Sequence, residues 1–160
     1  EQLPDNKKRL FIRNEVTGHN KKLFTTAKQA GVNNFGKFNN AGYRGLYGAP
    51  SSDIEQKKGI KKGELLDRAG STELAANLFR ITQTDEKIKK DKVQGEKPAC
   101  YTHFMVGGKV RKTIKEIGGT VPEELPPEKH IKEVKKEVKR LKDVGKQKID
   151  GGGKIDSPAP

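Results

Sequence analysis

"PACYTHFMVGGKVRKTIKEIGG", from Pro98 to Gly119, is the stretch that decides the fold. At 100° per residue, Val106, Val110, Ile114 and Ile117 fall within an arc of roughly 80°, and Lys109, Arg111, Lys112 and Lys115 lie outside it. The spacing predicts an amphipathic helix with one packing face and one basic ridge. Gly107 and Gly108 each cost about 1 kcal/mol relative to Ala, which weakens the N-terminal part of that helix. Gly118-Gly119 ends it, and Pro122 enforces the stop. Two uses of the ridge stay open: a solvated outer face, or a phosphate-contacting surface.

Upstream, "GSTELAANLFRITQTDEKIKK" (Gly70–Lys90) has the same character. Ser71 or Thr72 can cap it, and Leu74, Leu78, Ile81 and Ile88 recur at spacings of four, three and seven. Lys87, Lys89 and Lys90 suit the negative end of the helix dipole, or extend the basic surface. Nearer the start, Asp5 can cap a helix carrying Leu10, Phe11 and Val16, which Thr17-Gly18 should interrupt or bend. A second helix with Leu23, Phe24, Ala27 and Ala30 should then run to Gly31. "VNNFGKFNNAGYRGLYGAP" (Val32–Pro50) reads as a Gly- and Asn-rich loop. Phe35, Phe38, Tyr43 and Tyr47 either plug it onto the helices, or present an aromatic surface with Arg44 for stacking bases. Ser51 or Ser52 can cap a short helix ending near Gly59. "KKGELLDRAG" (Lys61–Gly70) suggests another, with Leu65 and Leu66 inward, and the pair gives a weak helix-turn-helix pattern.

After Pro126-Pro127, Ile131, Val134, Val138 and Leu141 repeat 3-4-3, a strip narrow enough for a seam with a partner or with this domain. Lys135, Lys136 and Lys139 lie on the same helix. Period-2 alternation is rare throughout, so the fold expected is all-α: a compact multi-helix domain over residues 1–122, a basic amphipathic helix over 123–145, and a flexible, disordered tail over 146–160.

Bulk composition bounds the function. The chain has 160 residues and a formal net charge of +13. Such charge attracts anions, whether nucleic acid, an acidic protein or a membrane surface. Leu, Ile, Val and Phe supply 35 residues, about 22%, just above the ~20% level below which charged chains stay disordered. A modest helical core with solvated segments is therefore expected. No apolar run nears the ~18 residues of a membrane span, so no membrane partner is expected. Glu1 rather than Met opens the chain, so a processed product or a piece of something longer is expected.

Chemistry for catalysis is sparse. Cys100 is the single cysteine, and His19, His103 and His130 fall on different elements. Cys100 and His103, three apart, form one metal-type pair without a second, so no metal is expected. As nucleophile and base they lack a third group to orient the histidine. "MVGGKVRKT" and "GGGKID" lack the Ser or Thr that follows the lysine of a phosphate loop. Neither enzyme activity nor a cofactor is expected.

Four segments together, "EQLPDNKKRLFIRNEVTGHNK", "GYRGLYG", "GSTELAANLFRITQTDEKIKK" and "THFMVGGKVRKTIKEIGGTVPEELPPEKHIKE", resemble the C-terminal half of the bacterial DNA-damage-inducible protein D family. The resemblance covers nearly all of Glu1–Glu133. It does not extend to the upstream domain of that family, which is similar to baculovirus repeated-ORF and phage antirepressor domains, nor to the segment after Lys139. It implies a non-enzymatic, cytoplasmic, nucleoid-associated protein of the bacterial SOS response that contacts DNA, or restrains a RecA-type recombinase on single-stranded DNA.

On that expectation the phosphate contacts are Lys109, Arg111, Lys112 and Lys115, supported by Arg80, Lys87, Lys89, Lys90, Lys135, Lys136 and Lys139, with Tyr43 and Arg44 as the stacking alternative. About five neutralised phosphates would give a log K against log[salt] slope of roughly −4.5 on duplex. The competing expectation is a protein-interaction or homo-oligomerisation module of an antirepressor-like transcription regulator. Ile131, Val134, Val138 and Leu141 would then form its seam.

Overall fold

The computed structural model describes residues 2–152, with side chains placed from residue 4 to residue 146. The expected all-α class is observed: six helices and no strand among the described residues. They are α1 (Gln2–Gln29), α2 (Phe35–Tyr47), α3 (Ser51–Lys58), α4 (Ser71–Lys90), α5 (Glu96–Ile117) and α6 (Ile131–Gly152). Two 3-10 turns, Leu66–Arg68 and Pro122–Glu124, punctuate the connections. The most extensive packing is α2 on α5, followed by α1 on α4; α4 also meets α5, and α6 lies on α1.

α1 runs unbroken through Thr17-Gly18. Val16, Leu23, Ala27 and Ala30 form one buried stripe, joined by Ile81 and Ile88 of α4 in a single core cluster. That packing outweighs the ~1 kcal/mol a helical glycine costs. Thr17 turns its hydroxyl back to the Arg13 carbonyl at 3.2 Å instead of breaking the helix. Asp5 is inside the first turn and does not cap it. Gly31 does end α1, at φ 97°, with Val32 N–H reaching the Ala27 carbonyl at 3.0 Å.

The expected loop over Val32–Pro50 is mostly a helix. Asn34 caps α2 by accepting from Lys37 N–H, and the Glu96 carboxylate accepts from Asn33 and Asn34 N–H at 3.0 and 2.6 Å. Gly42 and Gly45 of α2 are spacing devices. A Cβ at Gly42 would overlap the His103 ring, one at Gly45 would overlap the Phe104 carbonyl oxygen, and one at Gly107 would sit 2.7 Å from the Gly42 carbonyl oxygen. α2 and α5 thus touch backbone to backbone through glycines on both sides. The propensity cost of glycine is offset by an approach no other residue allows.

Three further expectations shift. "KKGELLDRAG" forms only the 3-10 turn at Leu66–Arg68, so the second helix of a helix-turn-helix is missing, although Leu65 and Leu66 are buried as expected. Gly70, not Ser71, is the residue before α4, and the Ser71 hydroxyl has no partner. The last helix continues through Gly152, into the segment expected to be a tail; residues 153–160 of that segment lie outside the described residues.

Candidate functional site

Two features carry functional information: a polar chain through the core, and the outer faces of α4 and α5. In sequence, Glu73, Asn77, Arg80 and Thr84 repeat at helical spacing beside the apolar stripe of α4, and all four are buried. The Glu73 carboxylate accepts from Lys58 Nζ of α3 at 2.6 Å and from the Tyr47 hydroxyl of α2 at 2.5 Å. Asn77 Nδ2 donates to the Tyr47 oxygen at 2.9 Å, and Asn77 Oδ1 accepts from Arg80 Nη2 at 2.9 Å. Arg80 Nη1 lies 2.7 Å from His103 Nε2, and His103 Nδ1 lies 2.8 Å from the Phe38 carbonyl oxygen. The carbonyl accepts only and the guanidinium donates only, so Nδ1 carries the proton. The chain ties α3, α4, α2 and α5 together.

Electrostatics follow from that burial. Desolvation and the Arg80 charge push the His103 pKa well below the ordinary value, so the imidazole is neutral. Burial also raises the Glu73 pKa, opposed by its hydrogen bonds from Lys58 and Tyr47. The Tyr47 hydroxyl is raised well above its ordinary value by burial and the Glu73 charge. Both ring nitrogens of His103 are engaged, leaving none to activate Cys100, whose own pKa is raised by burial. No group of three metal-ligating side chains stands together among the described residues.

Placement corrects several expected phosphate contacts. Arg80 is 2% exposed, and its charge is turned into the core and over the Tyr43 ring at 4.9 Å; a phosphate cannot reach it. Arg111 is committed to a two-pronged pair with Glu123, each contact 2.6 Å, and donates to the Leu46 carbonyl at 3.2 Å. It fastens the Pro122–Glu124 turn to α2. Lys87 and Lys89 stay at the surface, each in a solvent-exposed pair, with Asp91 and Asp85 at 2.8 and 3.1 Å. Tyr43 is half-buried, edge-on to Tyr47 and with the Arg80 guanidinium over its ring, beside the exposed Arg44. Phe38 and Tyr47 are buried, so of the four aromatics these two act as plugs, but of a helix and not of a loop.

The other expected contacts keep their place on the surface. Lys90, Lys109, Lys112 and Lys115 are exposed; among the described residues Lys112 alone of these has a carboxylate within ion-pair distance, Glu116 at 3.8 Å. Lys135, Lys136 and Lys139 are exposed on α6, a helix whose main contacts are with α1 and the Leu66–Arg68 turn. The basic residues therefore form two groups on helices that do not pack extensively on one another. The seam also divides. Val134 and Val138 are 0% and 5% exposed against this same chain, Ile131 is half-buried, and only Leu141 stays open. Val134 and Val138 are thus unavailable to another protein, because α1 already covers them.

Residues 3–134 match the family described as the DinD C-terminal domain. The chain belongs to that family. Over 144 residues it is 55% identical to DNA damage-inducible protein D of Escherichia coli (strain K12), a match that takes in 86% of this chain and 53% of the relative. The chain thus spans about half the length of that relative. The matched region takes in the polar chain, the glycine contact of α2 with α5, and the outer faces of α4 and α5. The family match ends at Val134, the first fully buried residue of α6. No helix among the described residues is long and apolar enough to cross a membrane.

Proposed function

We propose that this domain serves the DNA-damage response as a non-enzymatic binding module that grips nucleic-acid backbone, bare or within a recombinase filament. The observation that supports it most is the set of exposed lysines Lys90, Lys109, Lys112 and Lys115 on α4 and α5, where, among the described residues, Glu116 is the only carboxylate within ion-pair distance of any of the four. Lysines grip phosphate as point charges and read no sequence. Helices α4 and α5 are rigid supports, fixed to each other through Arg80 and His103.

With Arg80 buried and Arg111 committed to Glu123, about four phosphates remain to be neutralised by this set. The log K against log[salt] slope should then be roughly −3.6 on duplex and roughly −2.8 on single strands. Fluorescence anisotropy of the chain with labelled single-stranded and duplex oligonucleotides, at several salt concentrations, measures it. The triple variant Lys109→Glu, Lys112→Glu, Lys115→Glu should abolish binding, and Arg111→Lys should leave the slope unchanged. Flat titrations at low salt, or binding indifferent to the triple variant, would remove the proposal.

A further inference from the structure

The apolar arc of α5 is only half used by the core. Val106 is buried, Val110 and Ile114 are half-buried, and Ile117 is 78% exposed. Facing them are Ala75, Ala76 and Phe79 of α4, with Phe79 itself 53% exposed. Between the two helices lies a groove of about 760 Å³, its wall completed by Pro122 and Leu125. Val106 to Ile117 spans about 16 Å at helical rise, the length of three turns.

The charges at the rim narrow the choice of occupant. Lys87 and Asp91 neutralise each other, and Glu86 is the remaining acid. Lys90 and Lys109 stand exposed on opposite sides of the groove, with no ion pair among the described residues. A nucleic-acid backbone gains nothing from an apolar floor. The chain's own exposed apolar residues on α6, Leu141 and Val144, are flanked by Lys139, Arg140, Lys142 and Lys146 against the single acid Asp143. A second copy of α6 would therefore bring positive charge to a positive rim. An acidic segment with apolar anchors suits both floor and rim.

We infer that the α4–α5 groove is a docking site for an acidic peptide segment of a partner protein. The segment lays apolar side chains spaced i, i+4, i+7 against Phe79, Val110, Ile114 and Ile117, and sets carboxylates beside Lys90 and Lys109. The site is separate from phosphate gripping in chemistry, although it shares two lysines with it.

The test uses the full chain and three labelled synthetic peptides of equal length: acidic with Leu and Phe anchors, acidic with Ser in place of the anchors, and basic with the anchors kept. The first should bind at least roughly tenfold tighter than either control, the effect of burying one or more anchors. Ala75→Gln and Thr113→Gln, at exposed positions lining the groove, should weaken it while leaving circular dichroism and oligonucleotide binding unchanged. Equal affinity for the three peptides overturns the inference, as does binding indifferent to both glutamines. Concentration-dependent self-association lost in the same variants would give the groove to a second copy instead.

Discussion

Adjacent glycines of α5 should respond to alanine with opposite signs. Gly108 has open space around it: a Cβ there would meet nothing within 4 Å. Ala in place of Gly in a helix interior gains about 1 kcal/mol, so Gly108→Ala should stabilise by about that amount. Gly107 faces α2, where a Cβ would lie 2.7 Å from the Gly42 carbonyl oxygen, 2.9 Å from Leu46 N and 3.2 Å from the Gly45 carbonyl carbon. All three are backbone atoms, so no side chain can swing aside. Restoring ordinary contact distances moves α2 away by roughly 0.7 Å, and a gap of that size forfeits a quarter to a half of each dispersion contact around it. Overpacking of this kind costs typically 1–3 kcal/mol. Here the displaced element also carries the Phe38 carbonyl that holds His103, so the upper end applies. After the propensity gain of about 1 kcal/mol, Gly107→Ala should be about 2 kcal/mol less stable than wild type. Urea denaturation followed by far-ultraviolet circular dichroism reads both. With m near 2 kcal/mol per M, the two variants' midpoints should stand about 1.5 M apart on either side of wild type. A Gly107→Ala midpoint at or above wild type would refute the backbone contact of α2 with α5.

The buried histidine makes a pH prediction. Its folded pKa is depressed from 6.5, so the unfolded chain takes up the proton first, and stability falls as pH drops below that value. From about pH 7.5 to about pH 5.5 the loss from His103 should be about 1.4 kcal/mol, and a His103→Gln variant should lack that slope in urea titrations. Glu73→Gln leaves the side chain of Lys58, 4% exposed, without its counter-charge and should destabilise by roughly 3–5 kcal/mol; a loss under 1 kcal/mol would mean that Lys58 reaches water. Val134→Ala should cost roughly 1.5–3 kcal/mol of domain stability while Leu141→Ala costs little; equal effects in thermal melts would detach α6 from α1.

The helices with a continuous stripe were legible: α4 from Leu74, Leu78, Ile81 and Ile88, and the end of α5 from Gly118. α2 was hidden because its glycines and asparagines lower local propensity, and the compensation comes from Gly107, some sixty residues away. Local sequence cannot express a contact that exists only once two helices meet. The polar chain left one visible trace, Glu73, Asn77, Arg80 and Thr84 repeating at helical spacing along one flank of the apolar stripe. A positive charge reads as exposed from sequence alone, which places Arg80 at the surface. Arg80 instead turns inward from the flank of the stripe, where Asn77 and His103 replace water as its partners. Arg111 departs from its expected place for a different reason, since its acceptor Glu123 follows the helix and is brought back by the Pro122–Glu124 turn.

Lys90 and Lys109 belong both to the phosphate-gripping set and to the rim of the groove. An acidic segment in the groove consumes the same positive charge that a nucleic acid would neutralise, so each ligand must weaken the other, and by the same factor. If two of the four lysines are lost to phosphate, the duplex slope should fall from roughly −3.6 to roughly −1.8 with the acidic anchored peptide at saturation. A slope unchanged by the peptide would mean that the segment is held by apolar contacts alone, with its carboxylates turned away from Lys90 and Lys109. Because the slope counts charges and not affinity, it separates competition for the lysines from a general weakening of the fold.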